Sequence, residues 1–464
     1  MTELLAADQG QPAHIVHLVD SDSFQDWRKE QPQRIRALLD ANRYDGETGY
    51  AYLILPGEND DDWSVVSTVA NVQELSPWCL AKLGEALPEG TYRLADDRQP
   101  GPAMLGWLLA QHRFDDYRSN PSDTAGKRVL LTKDVNEIER TRQTAEAVTL
   151  VRDMVDTPAE DMGPAQIEER ARQLAEAHGA TVSVTRGGEL ESGYPMVHAV
   201  GRAATKERAP RLVELEWGRP DAPRLAIVGK GVVFDSGGLD IKSGKGMRLM
   251  KKDMGGAAHA IALAKLVMER RLPVRLHLLV PAVENAVSGD SFRPGDVLDT
   301  RKGLKVEIDN TDAEGRLILG DALTKAVEDE AAMIIDFATL TGAARVALGP
   351  DLPAMFANDE QLASDLISAS QKVSDPIWRL PLWDGYDEML KSTLADMVNS
   401  ATSPFAGSIT AALFLRRFVP EETPWAHFDT FAWQPAAKPG RPKGGEALGL
   451  RAAMAMLEER FARD

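Results

Sequence analysis

From residue 158 to the C-terminus, strand-like apolar runs alternate with helical segments, and this alternation constrains the fold more than any other feature of the chain. The runs PRLAIVGKGVVFD and AAMIIDFATL are typical of buried strands, whereas GGAAHAIALAKLVMERR and GRLILGDALTKAVEDE carry apolar residues at helical spacing. Such alternation is typical of a mostly parallel sheet covered by helices. We therefore predict the α/β class, with a larger C-terminal domain over 158–464 built on a mostly parallel central sheet flanked by helices.

The first part of the chain predicts a separate, smaller α/β domain over 1–135. Short β-like runs such as HIVHLVD and YAYLIL alternate there with helical stretches, one of which is FQDWRKEQPQRIRALLDANR. The segment 136–157 has apolar residues at helical spacing and predicts a linker helix. Pro158 ends it, because proline and the residue before it disfavour helix. A chain of 464 residues is long enough for about two or three domains.

The composition limits which binding partners and which cellular compartment are expected. Cys79 is the single cysteine and cannot form an internal disulfide, which suits a reducing compartment. The N-terminal sequence lacks the pattern of a secretory signal, and no segment approaches the ~18 uninterrupted apolar residues of a membrane span. A net charge of −18 argues against nucleic acid as the main partner. We expect a cytoplasmic protein without a membrane partner.

Charged residues interrupt Gly-rich, apolar sequence in two blocks, VGKGVVFDSGGLDIKSGKGMRLMKKDMGGAA and NTDAEGRL, and seven of them are candidates for a functional site. Charges are costly to bury unless they pair or bind metal. Taken singly, an aspartate here could cap a helix and a lysine could extend its ammonium to solvent. Their common position at strand-to-helix junctions, where α/β sheets bind ligands, indicates a metal site with catalytic cations. The seven are Lys230, Asp235, Lys242, Asp253, Asp312, Glu314 and Arg316.

The sequence lacks the motifs of several other types of site. DNTDAEG begins like a calcium loop, but Glu314 stands at the sixth position, which requires glycine, and Gly320 stands at the twelfth. There is no H-E-x-x-H motif and no G-x-S-x-G motif, and GLDIKSGKG has the wrong spacing for a phosphate loop. An oxygen-rich site for two divalent ions such as Mn²⁺, Mg²⁺ or Zn²⁺ remains, a type known in aminopeptidases and phosphatases.

The octapeptide 310–317, NTDAEGRL, resembles the most specific motif of the leucine aminopeptidase (cytosol aminopeptidase) family of two-metal exopeptidases. The spacings of the first block fit the same family, and the likeness continues through ATLTGA, WRLPLW, ADMVN and SITAALFL. It covers essentially the whole chain after residue 150. The resemblance implies that 158–464 is a catalytic metallopeptidase domain, a hydrolase that acts on peptides with a free N-terminus, and that the protein is a homohexamer.

The resemblance also implies a role for each site residue. Two divalent ions, Mn²⁺ and/or Zn²⁺, would hold a bridging hydroxide that attacks the first peptide carbonyl. Lys242 would stabilise the oxyanion, and Arg316 would bind a bicarbonate that accepts a proton. Lys230 would bind metal as a neutral amine, which requires a pKa well below ~10.4. The implied metal ligands are Lys230, Asp235, Asp253, Asp312 and Glu314, and the implied lining of the first side-chain pocket is Met250, Thr339, Leu340 and Gly342.

One segment departs from the family pattern. Residues 427–433 read HFDTFAW where many members have H-L-D-I-A-G, and this variant resembles a bacterial peptidase-B-like branch. The segment belongs to the first side-chain pocket, so a preference for leucine or another apolar residue is an expectation that this variant puts in question. Two alternative functions stay open from the residues: a two-metal phosphoesterase, for which no phosphate-binding element is found, and a non-catalytic or DNA-binding role on the same fold.

Overall fold

The computed structural model describes residues 3–59, 62–120 and 126–461. It divides into two compact units, Met1–Thr149 with Ala436–Lys443 and Leu150–Pro435 with Gly444–Asp464. Each unit contains a β-sheet and helices, so the predicted α/β class is confirmed. Within the described residues, the search for a helix long and apolar enough to cross a membrane found none.

The first unit is built on a sheet that is parallel except at one edge. Its elements are β1 (Leu5–Ala7), β2 (His14–Val19), α1 (Phe24–Glu30), α2 (Gln33–Ala41), β3 (Tyr52–Pro56), β4 (Trp63–Thr68), α3 (Ala81–Ala86), β5 (Gly90–Leu94), α4 (Ala103–Leu109) and β6 (Arg128–Thr132). The strand order is β1-β6-β5-β2-β4-β3, and among the strand pairs of the described residues only β3–β4 is antiparallel.

Two prolines determine where helices stop. The stretch FQDWRKEQPQRIRALLDANR, predicted as one helical segment, forms two helices separated by Gln31 and Pro32, whose ψ angles of 147° and 153° are extended. Proline lacks an N–H and keeps its predecessor out of the helical region, so a continuous helix cannot form. Helix α5 (Val135–Asp156) likewise ends two residues before Pro158.

The second unit contains the larger sheet and most of the helices. Its strands are β7 (Thr181–Arg186), β8 (Arg211–Gly218), β9 (Arg224–Gly229), β10 (Gly231–Asp235), β11 (Arg275–Asn285), β12 (Val297–Asp299), β13 (Lys305–Glu307), β14 (Met333–Ala338), β15 (Ala354–Ala357), β16 (Trp378–Arg379), β17 (Met397–Val398), β18 (Trp425–Asp429), β19 (Trp433–Gln434) and β20 (Gly444–Gly445). Its helices are α6 (Pro164–His178), α7 (Gly187–Gly193), α8 (Pro195–Gly201), α9 (Gly244–Met247), α10 (Gly255–Glu269), α11 (Glu314–Glu328), α12 (Gly342–Leu348), α13 (Glu360–Lys372), α14 (Gly407–Arg416) and α15 (Leu450–Arg460).

The centre of the nine-stranded sheet is parallel, as predicted. The order is β16-β15-β18-β14-β9-β11-β8-β7, and β10 pairs with β11. Strands β18, β14, β9 and β11 run parallel, whereas β15 against β18 and β8 against β11 and β7 are antiparallel. Phe337 lies opposite Gly229, and Ala338 lies opposite Asp429. The carboxyl ends of β9, β14 and β18 therefore meet at one edge of the sheet.

Helices cover the apolar surfaces of this sheet. The first block of Gly-rich sequence leads into α10, whose residues are almost all buried because it packs on β9 and β14 and against α6 and α15. Helices α8, α11 and α14 enclose a second apolar cluster with Ala226, Val228 and Ile334 of the sheet. This packing fixes the N-terminal ends of α10 and α11 beside the carboxyl edge of the strands.

Candidate functional site

The charged residues of the two sequence blocks converge at this carboxyl edge. Lys230 joins β9 to β10, and Asp235 is the last residue of β10. Asp253 lies in the 3₁₀ turn Met250–Met254 that leads into α10, while Glu314 begins α11. In open α/β sheets the carboxyl ends of the strands form the ligand-binding crevice, so the topology accounts for the convergence.

One cavity of about 520 Å³ contains every residue that the sequence predicted for the site. Its lining includes Lys230, Asp235, Lys242, Met250, Asp253, Asp312, Glu314, Arg316, Thr339, Leu340 and Gly342. The structure therefore brings the predicted ligands, the two predicted catalytic cations and the predicted pocket residues together.

Lys230 lies between two carboxylates. Its Nζ is 2.7 Å from Asp253 Oδ2 and 2.9 Å from Glu314 Oε1, and the residue is 2% exposed. Burial opposes the charged amine, but Asp253 and Glu314 outweigh it and raise the pKa of Lys230. Gly315 makes the approach possible, because a Cβ at that position would collide with the Lys230 side chain.

Lys242 joins the other two carboxylates. Its Nζ is 2.8 Å from Asp235 Oδ2 and also pairs with Asp312 Oδ1. Burial opposes its charged form, yet Asp235 and Asp312 raise its pKa. Asp235 is fixed from the other side, because its Oδ1 accepts hydrogen bonds of 2.9 Å from Asn285 Nδ2 and from the Gly237 N–H.

Helix capping does not explain the aspartates. The residues that precede α10 and α11 are Met254 and Ala313, so neither Asp253 nor Asp312 occupies a cap position. Asp253 instead accepts a 2.8 Å hydrogen bond on Oδ1 from the Thr339 hydroxyl. Its carboxylate is thus held by α10's approach turn, by Lys230 and by the end of β14.

The carboxylates fit a metal centre because they outnumber the lysines that face them. Asp235, Asp312 and Glu314 each offer an oxygen within 4.8 Å of the other two. Glu314 is 1% exposed, and its Oε2 has no hydrogen-bond partner in the described part of the chain. Burial and the charge of Asp235 raise the pKa of Asp312 to about 6 and raise that of Glu314 as well. Clustered carboxylates of this kind suit hard or borderline divalent ions.

Arg316 presents a cation to the same cavity. One terminal nitrogen donates a 2.8 Å hydrogen bond to the Asn399 carbonyl, while Nε lacks a partner among residues 3–59, 62–120 and 126–461. Burial lowers the pKa of this guanidinium to about 10. A planar fork with a free buried donor suits a small bidentate anion.

Three polar residues that the sequence analysis did not assign hold the site in place. Asn285 supports Asp235, and Asn399 fixes Arg316. Asp429 Oδ1 accepts hydrogen bonds of 3.0 and 3.1 Å from the N–H groups of Leu340 and Thr341. Asn285 and Asp429 end strands β11 and β18 of the nine-stranded sheet, and Asn399 follows β17. A polar residue at the end of an apolar strand was the signal available in the sequence.

The cavity also contains two cations and an aromatic ring that the sequence analysis missed. Lys252 is 4% exposed, and burial lowers its pKa to about 8. Arg345 lies on α12 with its guanidinium 4.6 Å from the ring centre of Phe431. All three line the cavity. Lys252 stood next to a predicted ligand, and Phe431 belongs to the segment that departs from the family pattern.

A second group of potential ligands, Glu214, His277 and Asp329, has a different electrostatic balance. Each carboxylate there also faces a cation: Lys325 Nζ is 3.8 Å from Glu214 Oε2, and Arg224 is 3.4 Å from Asp329 Oδ2. His277 Nε2 lies 3.0 Å from Glu214. These charges are matched by protein cations, so this group is an ion-pair network of the fold.

Comparison with family models assigns both parts of the chain. Residues 149–454 match the catalytic domain of the cytosol aminopeptidase family, and residues 15–130 match the N-terminal domain of M17 aminopeptidases. The chain is 43% identical over 395 residues to a probable cytosol aminopeptidase of Syntrophotalea carbinolica, which covers 82% of this chain and 78% of that protein.

Solved structures agree with the family models. A cytosol aminopeptidase from Coxiella burnetii superposes with a TM-score of 0.93 at 43% identity, covering 99% of both chains. The bottromycin maturation enzyme BotP, in complex with Mn, superposes with a TM-score of 0.86 at 30% identity and covers 97% of this chain and 100% of its own. The predicted fold is thereby confirmed over both units.

Proposed function

This chain belongs to the cytosol aminopeptidase family and is a metal-dependent aminopeptidase, and we propose that Lys230, Asp235, Asp253, Asp312 and Glu314 hold its two divalent ions. One observation carries the assignment of the ligands. Three carboxylates lie within 4.8 Å of one another, and the buried Glu314 Oε2 has no hydrogen-bond partner within the described residues. A buried carboxylate oxygen is costly to leave unpaired, so a cation belongs there.

The donor set supports Mn²⁺ or Zn²⁺ as the ions. Four carboxylates and one amine are hard or borderline ligands, and the similar enzyme BotP binds Mn. When bound, such ions acidify water and polarise a carbonyl oxygen. Lys230 must lose its proton to bind an ion, so loading of the site releases a proton from an amine that the carboxylates otherwise keep charged.

The chain's own cations serve the reacting peptide. Lys242 extends into the cavity beside Asp235 and Asp312, where its ammonium donates to the oxygen on which negative charge develops during hydrolysis. Arg316, whose Nε–H has no partner in the described residues, would hold a bicarbonate, and that anion would supply a proton acceptor. The substrate is a peptide with a free N-terminal amine, whose first side chain lies against Met250 and Thr339.

Two further proposals rest on the family resemblance. The protein works in the cytoplasm, which its single cysteine favours. It assembles as a homohexamer. Light scattering coupled to size-exclusion chromatography tests the assembly directly, and a mass near that of one 50.6 kDa chain would contradict it.

Metal removal and one ligand variant test the proposed function. Hydrolysis of a panel of amino-acid p-nitroanilides is measured after chelation, after addition of Mn²⁺, and for Asp312→Ala. We expect activity to disappear on chelation, return with Mn²⁺, and stay absent in the variant. Asp309→Ala is the matched control, because Asp309 lies in the same loop but its side chain is exposed. Full activity of the chelated enzyme, or of Asp312→Ala, would overturn the assignment.

A further inference from the structure

Lys252 is a buried lysine whose Nζ has no hydrogen-bond acceptor among the described residues. It is 4% exposed, and its Nζ lies 3.9 Å from Asp253 Oδ1, too far for a hydrogen bond. The same Nζ lies 5.3 Å from the centre of the Phe431 ring. A charge buried in this way is unfavourable unless something else satisfies it. The side chain lines the cavity, so a ligand bound there can supply that partner.

Arg345 approaches the same ring from α12. Its guanidinium stacks on Phe431 at 4.6 Å, and within the described chain no side-chain hydrogen bond or carboxylate partner engages it. Phe431 thus holds two cations against one wall of the cavity. The predicted pocket residues Thr339 and Gly342 line this cavity too, which puts the two cations with the residues expected to receive the first side chain.

Charge counting leaves these cations in excess. With the proposed groups bound, the four carboxylates would balance two divalent ions, and Lys242 and Arg316 would balance a hydroxide and a bicarbonate. Asp429 is the remaining carboxylate that lines the cavity, and its oxygens already accept hydrogen bonds from Leu340, Thr341 and Ser408. It offsets one charge, so one positive charge remains unmatched at the Phe431 wall.

We infer that the first side-chain pocket takes an acidic residue, glutamate or aspartate, through Lys252 and Arg345. This deepens the proposed function and rests on it. A carboxylate at the Phe431 wall gives Lys252 its missing acceptor and supplies the unmatched negative charge. The expected preference for leucine is thereby replaced by a preference for peptides with an acidic N-terminal residue.

A matched pair of substrates tests the inference. Glutamyl- and glutaminyl-p-nitroanilide have nearly the same shape and differ in charge, so the ratio of their kcat/KM values reports the charge preference alone. The Mn²⁺-loaded full-length enzyme should favour the glutamyl substrate. Lys252→Met should reduce the ratio roughly tenfold to a hundredfold, the range for a hydrogen bond to a charged group. Arg345→Met should reduce it by about two- to fivefold, because Arg345 is exposed.

The design separates the inference from the proposed function. Lys302→Met is the control, since its Nζ binds the Arg417 carbonyl outside the cavity, and it should leave both rates unchanged. Metal content is measured for every variant. If Lys252→Met does not fold or load metal, the wild-type ratio and Arg345→Met decide. A glutaminyl preference in the wild type, or a ratio that neither variant moves, would overturn the inference. Failure of the loaded enzyme on every aminoacyl substrate would instead overturn the proposed function.

Discussion

Among the buried charged residues of the second unit, a pair away from the cavity and the cluster at the cavity are balanced differently. Arg152 and Glu446 are 1% and 3% exposed and form an ion pair, with Arg152 Nη2 3.0 Å from Glu446 Oε2. At the cavity, four carboxylates share Lys230 and Lys242. Both places are enclosed, and both connect segments that are distant in the sequence. Only the cavity has more negative charge than its paired lysines can neutralise.

This difference distinguishes buried charges that stabilise the fold from buried charges that require a ligand. A matched buried pair satisfies its own charges, and removing one partner leaves the other buried without compensation. An unmatched set raises the pKa of its own members, as burial and Asp235 do for Asp312 and Glu314. Divalent ions relieve that repulsion. Each substitution below removes one charge and measures whether stability or activity responds.

Glu314→Gln should give the largest effect. The amide keeps the shape and an oxygen for Lys230 but loses the negative charge that we assign to an ion. Metal catalysis contributes several kcal/mol, so kcat/KM should fall by at least about 10³-fold. Because repulsion among the carboxylates is also relieved, the metal-free variant should melt no lower than the metal-free wild type. Steady-state kinetics and thermal melts check both expectations. An active variant with a lowered melting temperature would mean that Glu314, like Glu446, serves the fold and not the reaction.

Glu446→Gln should show the opposite pattern. It leaves Arg152 as a buried charge without its carboxylate, and such a change costs about 3–5 kcal/mol of the free energy of unfolding. The cavity does not include Glu446, so the metal content and the activity per folded molecule should stay at wild-type values. Denaturant melts and metal analysis measure the two quantities. Loss of metal without loss of stability would show that the pair belongs to the site.

Lys242→Met tests the role of a cation at the cavity. Lys242 pairs with Asp235 and Asp312 but is assigned to the reaction and not to the ions. Removing one donor to a developing oxyanion typically lowers kcat by about 10²- to 10³-fold. Metal binding should persist, since the carboxylates lose a competitor. Lys245→Met, on the exposed turn α9, serves as the control. Equal loss of metal in Lys242→Met would assign this lysine to metal retention.

The residues that the sequence proposed for the site line one cavity because their spacing follows the order of strands and helices. Lys230 and Asp235 flank one strand, and Asp312 and Glu314 begin one helix, so parallel strands with a common carboxyl edge bring them together. The same alternation of strands and helices predicted the parallel centre of the sheet. It did not predict the antiparallel edges, because a strand's apolar pattern does not record its direction.

Residues that act through tertiary contacts were harder to predict. Lys251 and Lys252 are alike in the sequence, but Lys252 is buried against the ring of Phe431, which follows a strand far along the chain. Asp429 acquires its role from the N–H groups of a loop that follows another strand. The break at Pro32 was missed for a different reason: the apolar spacing on both sides is helical, and it outweighed a single residue.

The smallest predicted effect is the pH dependence of the metal-free protein. Raised pKa values of Asp312 and Glu314 favour their protonated forms in the folded state, so this stability is present below the ordinary carboxyl pKa near 4 and is lost as pH rises toward neutrality. Lys230 and Lys242 have raised pKa values that affect stability only above pH 10, and Asp253, whose pKa is lowered, affects it below pH 4.

The chelated protein should therefore melt a few degrees lower at pH 8 than at pH 5, roughly the shift that 1–2 kcal/mol produces in a domain of this size. Added Mn²⁺ should raise the melting temperature more at pH 8, and Glu314→Gln should flatten the slope where Glu446→Gln leaves it in place. An equal slope in Glu314→Gln and the wild type would mean that the four carboxylates are balanced without metal, and the two buried sites would then be alike.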